Sequence, residues 1–281
     1  MPDGNAESGD LMDFEEISRL TDEGEQVDQL YALFGEEKRL NASNASRVEF
    51  LTTVRYIERY LRPDDRILAI GAGAYSFYFA RKGFRYPRWN LRRRTFRNFA
   101  KICARAINRL KSGQCGGFEP LPDDSFDIVL VFSPLYHLHS EAGKDKCIAE
   151  ARRVCKTDGK LFFAFIKNDM IILTEFAYRP DYFENIDYDK ETFRLNDFPF
   201  VFHTLDAARN ALARNGLKPI HEVAADGASE LMQAKINALN EVDFQQCIRY
   251  HAYICEKKEF LGTANRLLFV CENDQERSRV V

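Results

Sequence analysis

The sequence has no apolar run approaching the roughly 18 residues that a membrane span needs. It has seven cysteines and no C-x-x-C pair among them. The first absence argues against a membrane-spanning helix. The second argues against a zinc ribbon or a disulfide framework and fits a reducing, cytoplasmic setting. The opening residues, MPDGNAESGDLMDFEE, carry no basic flank and no apolar stretch, so no signal peptide is expected. Acidic residues are missing altogether between Arg81 and Glu119, whereas 12 basic residues fall between Arg81 and Lys111. The whole chain has a formal charge of -3, which leaves -15 outside that stretch.

What is present is the composition of a soluble globular protein. Hydrophobic residues make up 45% and charged residues 30% of 281 positions, enough for a sizeable core. Residues 1–29 hold ten acids and one arginine and read as a mobile acidic tail. Residues 30–281 read as one domain. Phe50, Val54, Ile57 and Leu61 lie on one face of a helix that Pro63 ends. RILAIG then reads as a buried strand, followed by Gly71-Ala72-Gly73-Ala74 and a helix over YSFYFARKGF. FDIVLVF at 126–132 is a continuous apolar run of the kind found in strands covered on both faces. The next helix carries Cys147, Ile148, Ala151, Val154 and Cys155 on one face; KTDG makes a turn and KLFFAFI a third strand. Strand, helix and strand in this order predict a doubly wound α/β sheet.

Downstream, residues 170–203 read as irregular, with nine aromatics between Phe176 and Phe202. Aromatics of this kind serve either as core or as a lid over a substrate. Thr204 is an expected helix N-cap and Gly216 the matching stop. KPIHEVAA reads as a strand, 229–258 as a long helical stretch, and RLLFVCE at 266–272 as a final strand.

A strand that ends in Gly-x-Gly at a helix start presents backbone N–H groups to a ligand, and glycine permits close approach. Alone, the motif fits a plain tight turn equally well. Four segments together give it context: RVEFLTTVRYIERYL leading into ILAIGAG, PDDSFDIVLVFSPLYHL, AEARRVCKTDGKLFFAFI, and KINALNEVDFQQCIRYHAYICEKKEFLGTANRLLFVC. Over about residues 30–272 the chain resembles the class I S-adenosylmethionine-dependent methyltransferases, and within them the bacterial small-molecule group. The resemblance implies a Rossmann-like, mostly parallel sheet of about seven strands with helices on both faces. It implies S-adenosylmethionine at the C-terminal strand ends, held by Ile70, Gly71, Ala72, Gly73, Phe132 and Ser133. Tyr136 and His137 would face the methyl group or a small-molecule acceptor, and 170–203 would supply a substrate lid.

The chain also departs from that family. Ala69 stands where an acid is usual, and Gly73 is followed by Ala74-Tyr75-Ser76 instead of a third glycine. The acid that usually ends the second strand and accepts the ribose hydroxyls has no counterpart in FRYPRWNLRRR. A hydrogen bond to a charged group contributes about 1.5–3 kcal/mol, so its loss weakens cofactor binding about 10- to 100-fold. A pair of compensating frameshifts, near 83–86 and before Phe118, would explain both the missing acid and the basic run.

The alternatives are a non-catalytic or impaired member of the fold, and a nucleic-acid-associated protein that uses 81–111. The acidic remainder disfavours the latter. His137-x-His139 lacks an evident third metal ligand. His203, His221 and His251 read as structural, and Cys147 and Cys155 as core.

Overall fold

The computed structural model describes residues 39–71, 73–84, 121–186, 188–197 and 200–274, together with Glu16 and Arg19. Most of the acidic tail, Ala72, most of the basic run and the frameshift interval therefore lie outside the described residues.

Six strands form one sheet among the described residues. They are β1 (Ile67–Ile70), β2 (Phe126–Val131), β3 (Cys155–Lys167), β4 (Phe202–His203), β5 (Pro219–Ala224) and β6 (Arg266–Glu272). The order is β1-β2-β3-β6-β5, with β4 paired to the end of β3. The pairs β1–β2, β2–β3 and β3–β4 are parallel, and β6 is antiparallel to both β3 and β5. Five strands thus point one way, and β6 alone opposes them.

β1, most of β2, the second half of β3 and the middle of β6 are apolar because both faces of the sheet are covered there. Leu68, Val129, Val131, Leu161, Phe163, Phe165 and Phe269 point to one face. Helices α3 (Glu141–Val154) and α6 (Leu205–Arg214) cover it with Ile148, Ala151, Val154, Ala208, Ala211 and Leu212. Ile67, Ala69, Ile128, Leu130, Phe162 and Val270 point to the other face. There α1 (Asn44–Glu58) and α2 (Gly73–Arg81) contribute Phe50, Val54, Tyr56, Ile57, Tyr75 and Phe79. Each large apolar side chain taken fully out of water contributes about 1.5–3 kcal/mol.

Local signals set the boundaries. Ser43 and Ser46 form a reciprocal capping box at the start of α1. Thr204 Oγ1 accepts from Ala207 N at 3.1 Å, and Gly216 has φ +68, the left-handed conformation a helix stop needs. Helix α2 starts at Gly73 and ends at Arg81, earlier at both ends than YSFYFARKGF suggests.

Three expectations are corrected. Residues 170–203 are partly helical: α4 (Asn168–Tyr178) and α5 (Tyr182–Asn185) precede the irregular part. The stretch 229–258 is not one helix. It divides into α7 (Gln233–Asn237) and α8 (Glu241–Ile254), and α9 (Lys258–Leu261) follows. The break comes where Asn240 turns out of the helix and caps α8, accepting from Asp243 N at 2.9 Å. Finally, Cys155 caps α3 in extended geometry and opens β3 instead of ending the helix face, although it is fully buried.

Candidate active site

The parallel strands deliver their C-terminal ends to one edge of the sheet, where open α/β sheets place their ligands. Phe132 N donates to Ile70 O at 3.0 Å, which keeps the ends of β1 and β2 level. The chain then turns sharply at Gly71, whose φ is +70. A Cβ at Gly71 would stand 2.0 Å from Ser133 Cβ and 2.9 Å from Ser133 Cα. Two constraints therefore demand glycine here: the backbone conformation and the contact between the two loops. Helix α2 follows with no acidic side chain in its first turn. Its N-terminal dipole is thus left for a negatively charged group.

On the other side of the contact, Phe132 and Ser133 are buried, and Pro134–Tyr136 form a single 3-10 turn. Leu135 anchors that turn in the core with no exposure. Tyr136 O accepts from Val201 N at 2.6 Å, and the His137 ring lies 5.5 Å from that of Phe200. Ile70, Gly71, Gly73, Phe132 and Ser133 thus meet at the ends of β1 and β2. Tyr136 and His137 lie slightly further along and meet the segment that returns before β4. Ala72 lies outside the described residues, and His139 is exposed.

That returning segment is pinned to the sheet. Asn168 Nδ2 donates to Phe193 O at 2.9 Å, and Leu195 N donates to Asn168 Oδ1 at 2.9 Å. Tyr182, Leu195, Phe202 and Ile166 make a small apolar cluster against which Tyr136 packs. The aromatics of this region divide. Tyr182 and Phe202 are buried, while Phe176, Tyr178, Phe183 and Phe193 are 38–53% exposed.

Several residues at this edge were given no part in the site from sequence. Tyr75 is buried, stacked on Phe50 at 5.2 Å and edge-on to Phe132 at 5.1 Å. Burial, and then the nearby Glu49 carboxylate, push its hydroxyl well above the ordinary tyrosine range. Lys167, also buried, donates to Gly262 O, and burial holds its ammonium below the ordinary lysine range. His203 is 3% exposed, and neither ring nitrogen has a hydrogen-bond partner. Burial, and then the positive charge of Lys144, lower its pKa to about 4, so it is a neutral ring packed edge-on to Phe165. The position after Gly73 did point to Tyr75 as a departure; the others depend on pairings far apart in sequence.

His221, read as structural, has side-chain partners. Its Nε2 lies 2.7 Å from Tyr60 Oη and its Nδ1 2.9 Å from Glu256 Oε2. This cluster joins the C-terminal end of α1 to β5, away from the glycine turn.

The segment from the first residue of β1 into β3 has a recognisable pattern. Residues 67–163 match the methyltransferase domain family model. Over that stretch the chain is similar to methyltransferase domains. The matched span contains the glycine turn, β2 and the Phe132–His137 loop. No curated protein matches the chain in sequence. Among solved structures it is similar to a SAM-dependent methyltransferase from Archaeoglobus fulgidus, with 16% identity over 86% of this chain and 99% of that one and a TM-score of 0.46. A SAM-dependent methyltransferase from Methanosarcina mazei shares 17% identity over 77% of this chain and 96% of its own, with a TM-score of 0.41. A protein from Pyrococcus horikoshii shares 16% over 87% and 98%, with a TM-score of 0.46. Among the described residues no helix is long and apolar enough to cross a membrane.

The α2 N-terminus at this edge, with no competing acid, suits an anionic group, and the space a side chain would need at Gly71 is taken by Ser133, so the turn and the β2 loop are in direct contact.

Proposed function

We propose that this protein transfers the methyl group of S-adenosylmethionine to a small-molecule acceptor at the C-terminal ends of β1 and β2. The observation that carries this reading is the contact of Gly71 with Ser133, which brings the glycine turn and the β2 loop together at the start of α2.

Gly71 and Gly73 hold the amino-acid part of the cofactor through close backbone approach, with Ile70 behind them. Phe132 and Ser133 form the adjoining wall. Ala72, between the glycines, belongs to the same turn by sequence. When bound, S-adenosylmethionine supplies an electrophilic methyl group on a sulfonium. The chain's own task is to hold the acceptor's O, N or S atom in line with that methyl and to exclude water, and proximity with alignment suffices for many transfers. Tyr136 and His137 orient the acceptor, with His137 available to take a proton where the nucleophile must lose one. The segment 170–203, tied to the end of β3 through Asn168, is the lid on the acceptor side. The remaining parts of the reading are a domain extending over 30–281 and a cytoplasmic location.

Calorimetric titration with S-adenosylmethionine and its demethylated product tests the reading. Micromolar binding supports it. Absence of binding at millimolar ligand, in a chain that melts cooperatively, favours an impaired member of the fold. The lack of any acid between Arg81 and Glu119 is what makes that second outcome a real alternative.

A further inference from the structure

A charged network lies at the same edge of the sheet, one layer beyond Tyr75. Glu49 comes from α1, Arg266 from the start of β6, and Asp226 and Glu230 from the chain just after β5. Arg39 Nη1 donates to Glu49 Oε2 at 2.8 Å. Arg266 Nη1 donates to Glu230 Oε1, and Arg266 Nε lies 3.6 Å from Glu49 Oε2. Asn265 Nδ2 also donates to Glu230, and Thr174 Oγ1 of α4 donates to Asn265 Oδ1 at 3.2 Å.

Three carboxylates thus share two guanidinium groups. The nearby Lys167 ammonium is committed to Gly262 O. Asp226 is 1% exposed. Its Oδ1 accepts from Arg266 N at 3.0 Å, but its Oδ2 has no hydrogen-bond partner. The closest cation to Oδ2 is Arg266 Nη1 at 3.6 Å, already bonded to Glu230. Burial and then the Glu230 charge push the Asp226 carboxyl well above its ordinary range, against the pull of Arg266. Burial also works against ionisation of Glu230, but Arg266 and Arg39 outweigh it and hold that carboxyl low. Within the pair a proton therefore favours Asp226 over Glu230.

The network has a buried floor at Asp226 and Glu49 and an outer rim at Arg39 and Glu230, whose side chains are 24% and 29% exposed. It connects to the cofactor end through Phe50, next to Glu49, then Tyr75 and Phe132. We infer that this network is the acceptor-binding floor and that it selects acceptors carrying a protonated amine. The inference rests on the methyl-transfer reading above. An ammonium group supplies the third positive charge: Asp226 releases its proton to solvent, and its Oδ2 accepts an N–H. A neutral acceptor cannot make that exchange, and an anionic one is repelled.

The test is calorimetric titration of the full chain, saturated with demethylated cofactor, in two buffers of different ionisation enthalpy. The probes are phenethylammonium, 2-phenylethanol and phenylacetate. The expected result is an ammonium preference of about tenfold or more over the alcohol, with release of close to one proton. Asp226→Asn should abolish both the preference and the proton release while keeping the affinity for demethylated cofactor. Equal binding of the probes, no binding by any of them, ammonium binding without proton release, or unchanged selectivity in Asp226→Asn each overturns the inference. Failure of the demethylated cofactor to bind counts instead against the methyl-transfer reading. The same three probes titrated into the free chain then decide the cation site by the same criteria.

Discussion

The two ends of the sheet handle buried polar groups in opposite ways. At the N-terminal ends of the parallel strands they are saturated. Asn273 is fully buried and donates to Arg152 O at 2.9 Å, Cys155 O at 2.7 Å and Lys156 O at 3.2 Å. Asp127 accepts from Arg66 N at 2.9 Å and from Lys156 Nζ at 2.5 Å. Burial opposes its ionisation, yet these two donors hold its carboxyl below the ordinary range. The C-terminal end is different. Gly71 is locked against Ser133, Asp226 Oδ2 lacks a partner, and so do both nitrogens of His203 and the hydroxyl of Tyr182. Unsatisfied buried groups are costly, so where they gather is informative. One end of this sheet is built for stability alone; the other keeps polar atoms in reserve.

Substitutions can break this contrast. The largest effect is expected for Gly71→Val. A β-branched residue at φ +70 with its Cβ against Ser133 combines backbone strain and overpacking, at a cost of about 4 kcal/mol. Urea unfolding should show that loss, and calorimetry should show cofactor binding abolished.

Acid sensitivity comes next. His203 is neutral in the fold with a pKa of about 4, below its ordinary 6.5. As pH falls, the unfolded chain takes the proton first. Stability is therefore full above pH 6.5 and lost between pH 6.5 and 4, by about 3 kcal/mol. His203→Phe should flatten that part of the stability profile.

At the saturated end, Asn273→Ala strands buried carbonyls and should cost about 2 kcal/mol in urea unfolding. Cofactor affinity should not change, and a changed affinity would erase the distinction between the two ends. The last substitution is Asp226→Asn. Its sign is stabilising. The raised carboxyl pKa means that the fold binds a proton the unfolded chain has already released, so wild-type stability falls as pH rises above the ordinary Asp range. Thermal melting across pH 4–8 should show that slope reduced in the variant.

The saturated, apolar part of the molecule was the more legible in sequence. FDIVLVF and RLLFVCE announce strands because two covered faces require unbroken apolar runs. Thr204 and Gly216 announce helix ends because a cap and a stop are local chemistry. The glycine turn, the β2 loop and their neighbours were legible through motif order. The buried charges were not. Arg266, Glu49 and Asp226 are ordinary charged residues until the fold brings three separate segments together, and no periodicity encodes that. The partners of His221 were hidden for the same reason, since Tyr60 and Glu256 come from distant segments. The break at Asn240 was available in principle as a capping residue, but the helical spacing on either side obscured it.

The position of β6 has a consequence for how the protein is made. It is the latest of the six strands to be synthesised, yet it lies between β3 and β5 with partners on both sides. At about 5–20 residues per second, the ribosome needs roughly 5–20 s to add the hundred or so residues from the end of β3 to β6. Throughout that interval β3 lacks a neighbour on one side. A nascent chain stalled before Arg266 would thus expose two apolar strand edges at once, a natural target for chaperones and for pairing with another copy.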